Sequence, residues 1–499
     1  MAEKTKSLIS RAKHAMFGYN ATVDKGRRQA PTTRVRHESQ ELTQSKRKRL
    51  NATTLDQMRN HSIIAWMVRK HLDYVSSFHF SFRTEKGGLD SLVNRIFRWH
   101  GAPENMDFMG RLGRDEMFRL FEMEKVVNGD AALVKLAGLK LQAIESDLIA
   151  KGGCDDAEIA NTINGSGLVV DDLGRVKKYA ICTRNTGVTS GIKFHHLEDA
   201  SCVIFDAYWT RLSSQFRGVS PLSTAINTVQ DISEAMEMNI VKAKMQALFG
   251  VKIKRDSIGT DGDFGGAGGA TDETADADTT ATGSSFDLNP RAINILDLKP
   301  GDDADVIESR TPTAEFVEGM YLFIHVAMLA LDIPITSFDS RRSSFSARIA
   351  DLNEYEVSSE SKRTKNRYVR KAYSDWVLKT IWNDSASAWP LKKVATENDM
   401  SLRDVQEAVE WIPAGSPWID KLKQIKGDQL GISMLQDNSI DAARRRGQNV
   451  FENIDKQAKV IAYAKDRGVP LIIGTPPSSS VEEIVQEEIA AAKENESNG

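Results

Sequence analysis

The chain has 499 residues, a formal net charge of −3, 40% apolar and 27% charged residues, and three cysteines. That balance excludes a wholly disordered chain, a collagen-like repeat and a disulfide-stapled mini-domain, and it supplies enough apolar material for roughly two to four domains. Charge is uneven: residues 1–50 hold 13 Lys/Arg against four Asp/Glu, and the last 19 hold six Glu against one Lys, so a basic N-terminal arm and an acidic tail read as solvated ends.

In chain order, the pattern from Thr53 to about Phe78 is helical, with Leu55, Met58, Ile63, Ile64, Met67, Val68 and Leu72 on one stripe. Leu92–Trp99 and Arg111–Glu124 repeat that periodicity. The period then shortens. AALVKLAG, LKLQAIES, GLVVDDLGRVKKYAICTR and ASCVIFDAY read as strands, with Asp172-Leu173-Gly174 as a hairpin turn. The first 215 residues are therefore expected to be an α+β domain.

At Ser220 the character changes. Ser220 as N-cap and Pro221 at the first helical position open an uninterrupted apolar stripe that reaches Gly250, so one helix over 220–249 is expected. Residues 256–287 hold seven Gly and eight Asp/Glu with no Lys or Arg, a composition that reads as a flexible acidic loop. RAINILDLKPGD reads as a short strand and turn. Ala314–Asp332 is apolar on nearly every side, as expected of a helix buried all round. Pro334 ends it. Its longest apolar run, Met320–Leu331, is 12 residues, short of the roughly 20 that span a bilayer. Next comes FDSRRSSFSAR (338–348), and from Ser346 to Trp389 there is neither Gly nor Pro, so a third long helix to about Trp382 is expected. An α+β stretch to about Asp420, helices from Lys421 to Gly468 and a final acidic helix follow.

Chemical motifs are sparse. No GxxxxGK[ST] phosphate loop and no GxSxG nucleophile elbow occurs. GDFGGAGGA lacks the strand and helix that a dinucleotide site needs. His195-His196 has no partner cluster for a metal. Cys154, Cys182 and Cys202 are odd in number and unpaired in spacing, so they read as reduced, packed thiols. The first 20 residues lack the apolar core of a secretory signal. No catalytic residue, metal or cofactor is expected. A helix apolar on all sides needs neighbours that one chain with three long helices does not supply, which points to an oligomer.

Five segments carry a resemblance. MRNHSIIAWMVRKHLDYV (58–75) is similar to an early helix containing R-N-x-x-A. GLVVDDLGRVKKYAI (167–181) resembles a hairpin ending in G-R-P-x-A-Y. FRGVSPLS, opening 216–250, resembles R-G-V-(S/P)-x-L before a long helix. SSFSARIADLNEYE (343–356) resembles Y-S-S-A-R-x-x-L-x-E. WIPAGSPWIDKLK, opening 411–457, resembles W-x-x-x-G-x-x-x-I-D-x-x-K with a later R-G-x-D, where Asn449 replaces Asp. In this order they resemble the portal proteins of tailed double-stranded DNA bacteriophages, lambda type, over roughly residues 50–465.

The resemblance implies an α+β portal fold with an α/β wing, a long-helix stem, a small clip and a helical crown, assembled as a ring of twelve. Laid on this chain, the arm is 1–50, the wing 51–219 and 347–430, the stem helices 220–249 and 313–334, the clip 250–312, the tunnel loop 335–346 and the crown 431–499. Implied partners are further copies of the chain, double-stranded DNA without sequence preference, the terminase large subunit, head–tail adaptors, and the major capsid and scaffolding proteins, with no membrane. The implied location is the capsid vertex of the virion, and the host cytoplasm during assembly. A small, polar, cationic tunnel loop suits a DNA bore, so Ser340, Arg341, Arg342, Ser343 and Ser344 are the candidate channel residues. The competing reading of those arginines is pairing with Asp339 or Asp351, and Arg348 reads as a salt-bridge partner within the helix. The competing functions are a terminase subunit, which would need the absent phosphate loop or a nuclease carboxylate cluster, and another head–tail connector or adaptor.

Overall fold

The computed structural model describes residues 38–151, 157–184, 192–248, 251–255, 302–306, 312–384, 387–415 and 421–468. The acidic loop 256–287, the expected strand at 291–300, Gly250, Cys154, most of the basic arm and the acidic tail lie outside them. The chain divides into two compact units, residues 1–76 with 99–369, and residues 77–98 with 370–499.

In the first unit, α1 (Gln44–Asn60) and α2 (Ser62–Val75) replace the single helix expected from Thr53. His61 breaks it: its backbone is extended (φ −112°, ψ 110°), and its Nδ1 lies 3.0 Å from the Ser233 hydroxyl. Helix α3 (Gly87–His100) crosses into this unit at its last residues. Helix α4 (Arg114–Asn128) ends at Gly129, whose φ of 92° suits only glycine. Two antiparallel sheets follow. One orders β2 (Asp130–Leu136) between β3 (Lys140–Ile144) and β7 (Val203–Ala207); the other orders β5 (Val176–Arg184) between β4 (Leu168–Val170) and β6 (Ile192–Asp199). The β4–β5 turn is made where expected. Asp171 Oδ1 accepts from the backbone N–H groups of Leu173 and Arg175, and Gly174 takes φ 80°. Cys182 is buried in β5, with Sγ 3.0 Å from the Ala150 carbonyl.

The helix expected over 220–249 is shorter. Ser220 Oγ accepts from Leu222 N, and Pro221–Thr224 form a tight 3-10 turn. Helix α5 then runs Ile226–Leu248, because only from Val229, bonded to the Ala225 carbonyl at 2.9 Å, does the four-residue spacing begin. Strands β8 (Val251–Arg255) and β9 (Asp302–Val306) pair antiparallel, bringing Lys252 opposite Asp305 and Lys254 opposite Asp303 in register. VKIKR alternates apolar and basic residues as a strand does, whereas DDADV has too little apolar content to read as one.

Helix α6 (Ala314–Met328) continues as a 3-10 turn to Leu331. It is not buried on all sides. Ala327, Met328 and Leu331 are buried in a core with α2, α4 and α5 and Met320 is also buried, whereas Val317, Leu322, Phe323, Val326 and Leu329 are exposed. The stretch Ala314–Leu331 is long and apolar enough, by length and composition, to cross a membrane; counting only the unbroken apolar run understated it.

Helix α7 (Phe345–Asn383) has 39 residues, about 58 Å at 1.5 Å per residue. Its residues up to Val369 belong to the first unit and the rest to the second. In the second unit, β1 (Phe78–Phe82) pairs antiparallel with β10 (Val409–Pro413), from Phe78↔Pro413 to Phe82↔Val409. An α+β domain of the first 215 residues therefore does not hold together as one piece, because β1 finds its only strand partner among the described residues more than 300 positions later. An aromatic cluster closes that core. Phe80 stacks on Phe97 at 4.2 Å and meets Trp411 edge-on at 5.2 Å, while Phe97 meets Tyr373 at 6.0 Å. The unit continues through α8 (Leu391–Glu397), α9 (Leu402–Glu407), α10 (Lys421–Ser433), α11 (Ser439–Arg445) and α12 (Val450–Asp466), close to the order expected.

Candidate nucleic-acid interface

The segment between α6 and α7 is a chain of local caps. Asp332 takes the left-handed conformation (φ 56°), and Ile333 N returns to the Met328 carbonyl at 3.2 Å, closing the helix end before Pro334. A 3-10 turn covers Ile335–Ser337, and the Phe338 ring meets Trp66 edge-on at 5.8 Å. Asp339 Oδ1 accepts from Arg341 N at 3.0 Å, starting a second 3-10 turn over Ser340–Arg342. Ser343 Oγ donates to the Ser340 carbonyl at 3.4 Å. Ser344 Oγ accepts from Ala347 N at 3.2 Å and thereby caps α7. Phe345 and Ser346 are already helical, so the loop is shorter than residues 335–346.

The two arginines differ. The Arg341 side chain is 92% exposed, and its Nε lies 3.5 Å from Asp339 Oδ1. Arg342 is 37% exposed. Its Nη1 donates to both Glu318 carboxylate oxygens at 2.8 Å, and its guanidinium carbon sits 4.4 Å from the Tyr321 ring centre. The Glu318 hydrogen bond raises the Arg342 pKa further, so that cation is permanently charged. Ser340 and Ser344 are exposed and Ser343 half-buried. Arg348 is exposed and makes no ion pair within 4.0 Å among the described residues, so the salt bridge expected of it within the helix is not formed.

Helices α5 and α6 present apolar side chains to solvent, among them Met238 at 70% exposure and Leu322 at 59%. Among the described residues no group of three His, Cys, Asp or Glu side chains is close enough to hold a metal ion.

Two buried polar networks were not legible as sites. In the first, Arg217 binds Asp130 and the carbonyls of Ser146, Ile149 and Ser166. Burial raises the Asp130 pKa, but Arg217 and Arg47 outweigh it and hold the carboxyl below its usual range. Burial and the neighbouring Arg217 lower the Arg47 pKa to about 10. In the second, Glu122 accepts from Asn366 Nδ2 at 3.0 Å, pairs with Lys125, and lies 3.2 Å from His71 Nε2. Burial opposes its charge, yet Lys125 and His71 bring its pKa down to about 2. The RGVS segment was the available signal for the first network. For the second there was none, since its members are scattered along the chain.

Residues 25–361 match the family described as phage portal protein, lambda family. The chain belongs to that family. The portal match includes Arg217 and Asp130, both long helices α5 and α6, and the loop Ser340–Ser344; it stops within α7. Solved structures similar to this portal-family chain come from gene transfer agent (GTA) particles. The neck of an empty particle computed with C6 symmetry shares 13% identity, covering 76% of this chain and 89% of that one, with a TM-score of 0.39. A virion of the native particle shares 13% identity, covering 76% and 88%, with a TM-score of 0.37. The neck of the native particle computed with C12 symmetry shares 14% identity, covering 79% and 93%, with a TM-score of 0.38. No curated protein matches the chain.

Proposed function

We propose that this portal-family chain forms a ring, of about twelve copies, at one capsid vertex, through which double-stranded DNA enters and leaves. The observation that carries this reading is the family match over residues 25–361. In the reading, α5 and α6 form the stem, the β8–β9 region the clip, α7–α10 with the other sheets the wing, and α11 and α12 the crown. The exposed apolar faces of α5 and α6 support assembly, since a monomer rarely leaves so many large apolar side chains together in water. The 338–344 loop contacts passing DNA through backbone charge, without reading sequence. The clip docks the terminase large subunit during packaging and head–tail adaptors afterwards, and the rim meets capsid and scaffolding proteins. The chain hydrolyses no nucleotide, spans no membrane, and resides in the virion after assembly in the host cytoplasm.

The test is the mass and shape of the purified full-length protein, by native mass spectrometry and negative-stain microscopy. A closed ring near twelve 55.4 kDa chains, about 660 kDa, with a hole wide enough for a duplex is expected. A compact dimer with ATPase or nuclease activity overturns the reading.

A further inference from the structure

We propose that Arg342 is a positioning residue that pins the loop to α6, and that Arg341 alone is the loop's outward cation. This rests on the DNA-channel reading for what the loop faces, but the pin itself is a matter of geometry.

Composition makes the two neighbours equivalent; their surroundings do not. Glu318 and Tyr321 stand three residues apart on α6, and therefore on one face of the helix. The Arg342 guanidinium lies against both. One nitrogen donates to the two Glu318 oxygens, and the planar cation sits at the Tyr321 ring, 4.4 Å from its centre. Its Nε also lies 3.8 Å from Asp339 Oδ2. A phosphate meeting this cation competes with a carboxylate that already holds its Nη1 and offsets its charge. Arg341, one residue away, has its charge almost wholly in water.

Among the described residues, and apart from local backbone bonds, the other hydrogen bonds and ring contacts of the loop are at its ends. Phe338 packs on Trp66 at the start, and Ser344 caps α7 at the finish. Between these, the side-chain contacts to α6 are those of Arg342. A single exposed ion pair is worth little. Here one side chain combines a two-oxygen contact with a ring contact, and both partners sit on a helix that is itself packed in the core. That combination restricts the guanidinium to one orientation and holds the loop against α6. A duplex passing the loop then meets one outward positive charge per copy.

The experiment uses the full-length protein in its assembled form, with Arg341→Ala, Arg342→Ala, Glu318→Ala with Arg342→Ala, and the exchange Glu318→Arg with Arg342→Glu. Two quantities are read: amide hydrogen exchange across residues 339–344, and the slope of log affinity against log salt for a short linear duplex. Arg342→Ala is expected to speed loop exchange about tenfold, and the charge exchange to restore much of the protection. Arg341→Ala is expected to lower the salt slope, while the Glu318→Ala, Arg342→Ala pair leaves it unchanged. If that pair lowers the slope as much as Arg341→Ala does, Arg342 is a second phosphate contact and the proposal is wrong. Unchanged exchange in Arg342→Ala also overturns it. If Arg341→Ala leaves DNA binding untouched while loop exchange follows the pin, the channel reading fails and the pin stands.

Discussion

Arg217 binds Asp130 through two parallel hydrogen bonds, Nε to Oδ2 and Nη2 to Oδ1, each 2.7 Å long, across 87 positions of sequence. Both side chains are buried. The remaining Arg217 donors are taken by three carbonyls from two segments, Ser146 and Ile149 in one and Ser166 in the other, and Gly218 N donates to the same Asp130 carboxylate at 2.9 Å. The R-G of the RGVS segment is thus the point where α4, both sheets and the start of α5 are tied together.

Removing one partner strands a charge in the interior. Arg217→Ala and Asp130→Asn are each expected to destabilise the first unit by about 3–5 kcal/mol. Arg217→Lys should recover little, because an ammonium cannot reproduce the paired geometry. Urea unfolding followed by circular dichroism measures this; a loss under about 1 kcal/mol for Asp130→Asn would contradict it.

Gly218 is required for space. A Cβ there would lie 1.9 Å from the Gly129 carbonyl oxygen, a backbone atom that cannot step aside. Gly218→Ala is expected to cost about 3 kcal/mol or more through forced backbone movement. Gly319→Ala on α6, whose added Cβ meets nothing within 4 Å, is the matched control and should be neutral or slightly stabilising. Melting temperatures of the two variants decide it.

Burial raises the Glu124 pKa from 4.5 to about 7. A carboxyl whose folded pKa exceeds its unfolded value adds stability below pH 4.5 and loses it as pH rises through about 7. Glu124→Gln should therefore gain on the wild type by about 2–3 kcal/mol at pH 8, and little at pH 5. One carboxylate oxygen accepts from both Ser146 N and Asn128 Nδ2, and a Gln carbonyl can keep both bonds. His100 acts in the opposite window: burial lowers its pKa to about 4, so its contribution is present above pH 6.5 and is lost as pH falls through about 4. Denaturant midpoints at pH 4, 5 and 8 give both signs.

In the second unit, Trp411 Nε1 donates to Ser374 Oγ at 2.9 Å, and Ser374 Oγ donates to the Arg370 carbonyl. Ser374→Ala leaves a buried indole N–H without its acceptor and should cost about 1–3 kcal/mol. Tryptophan fluorescence during unfolding should show the shift.

Leu322→Glu with Val326→Glu tests the apolar face of α6. Both side chains are exposed in the single chain, so the fold should persist by circular dichroism while the assembled mass falls. Unchanged mass would remove that face from the subunit contact.

Alternation and periodicity carried the sequence reading far. The long α7, the β4–β5 hairpin turn, the α6 stop at Pro334 and the small cationic loop after it are set by neighbours within a few residues, where steric and capping rules act. The family was legible for the same reason, as short motifs kept in order. What the sequence could not determine by itself is pairing at a distance. The break at His61, the β1–β10 ladder, the Arg217–Asp130 clamp and the split between Arg341 and Arg342 each depend on which segment arrives opposite, and arginine binds whichever carboxylate the fold presents. Both arginines lie within ion-pair distance of Asp339, the local acid that the sequence offered; Glu318 as the two-oxygen partner of Arg342 came only with the tertiary structure, because α6 brings Glu318 and Tyr321 to the same side of the loop.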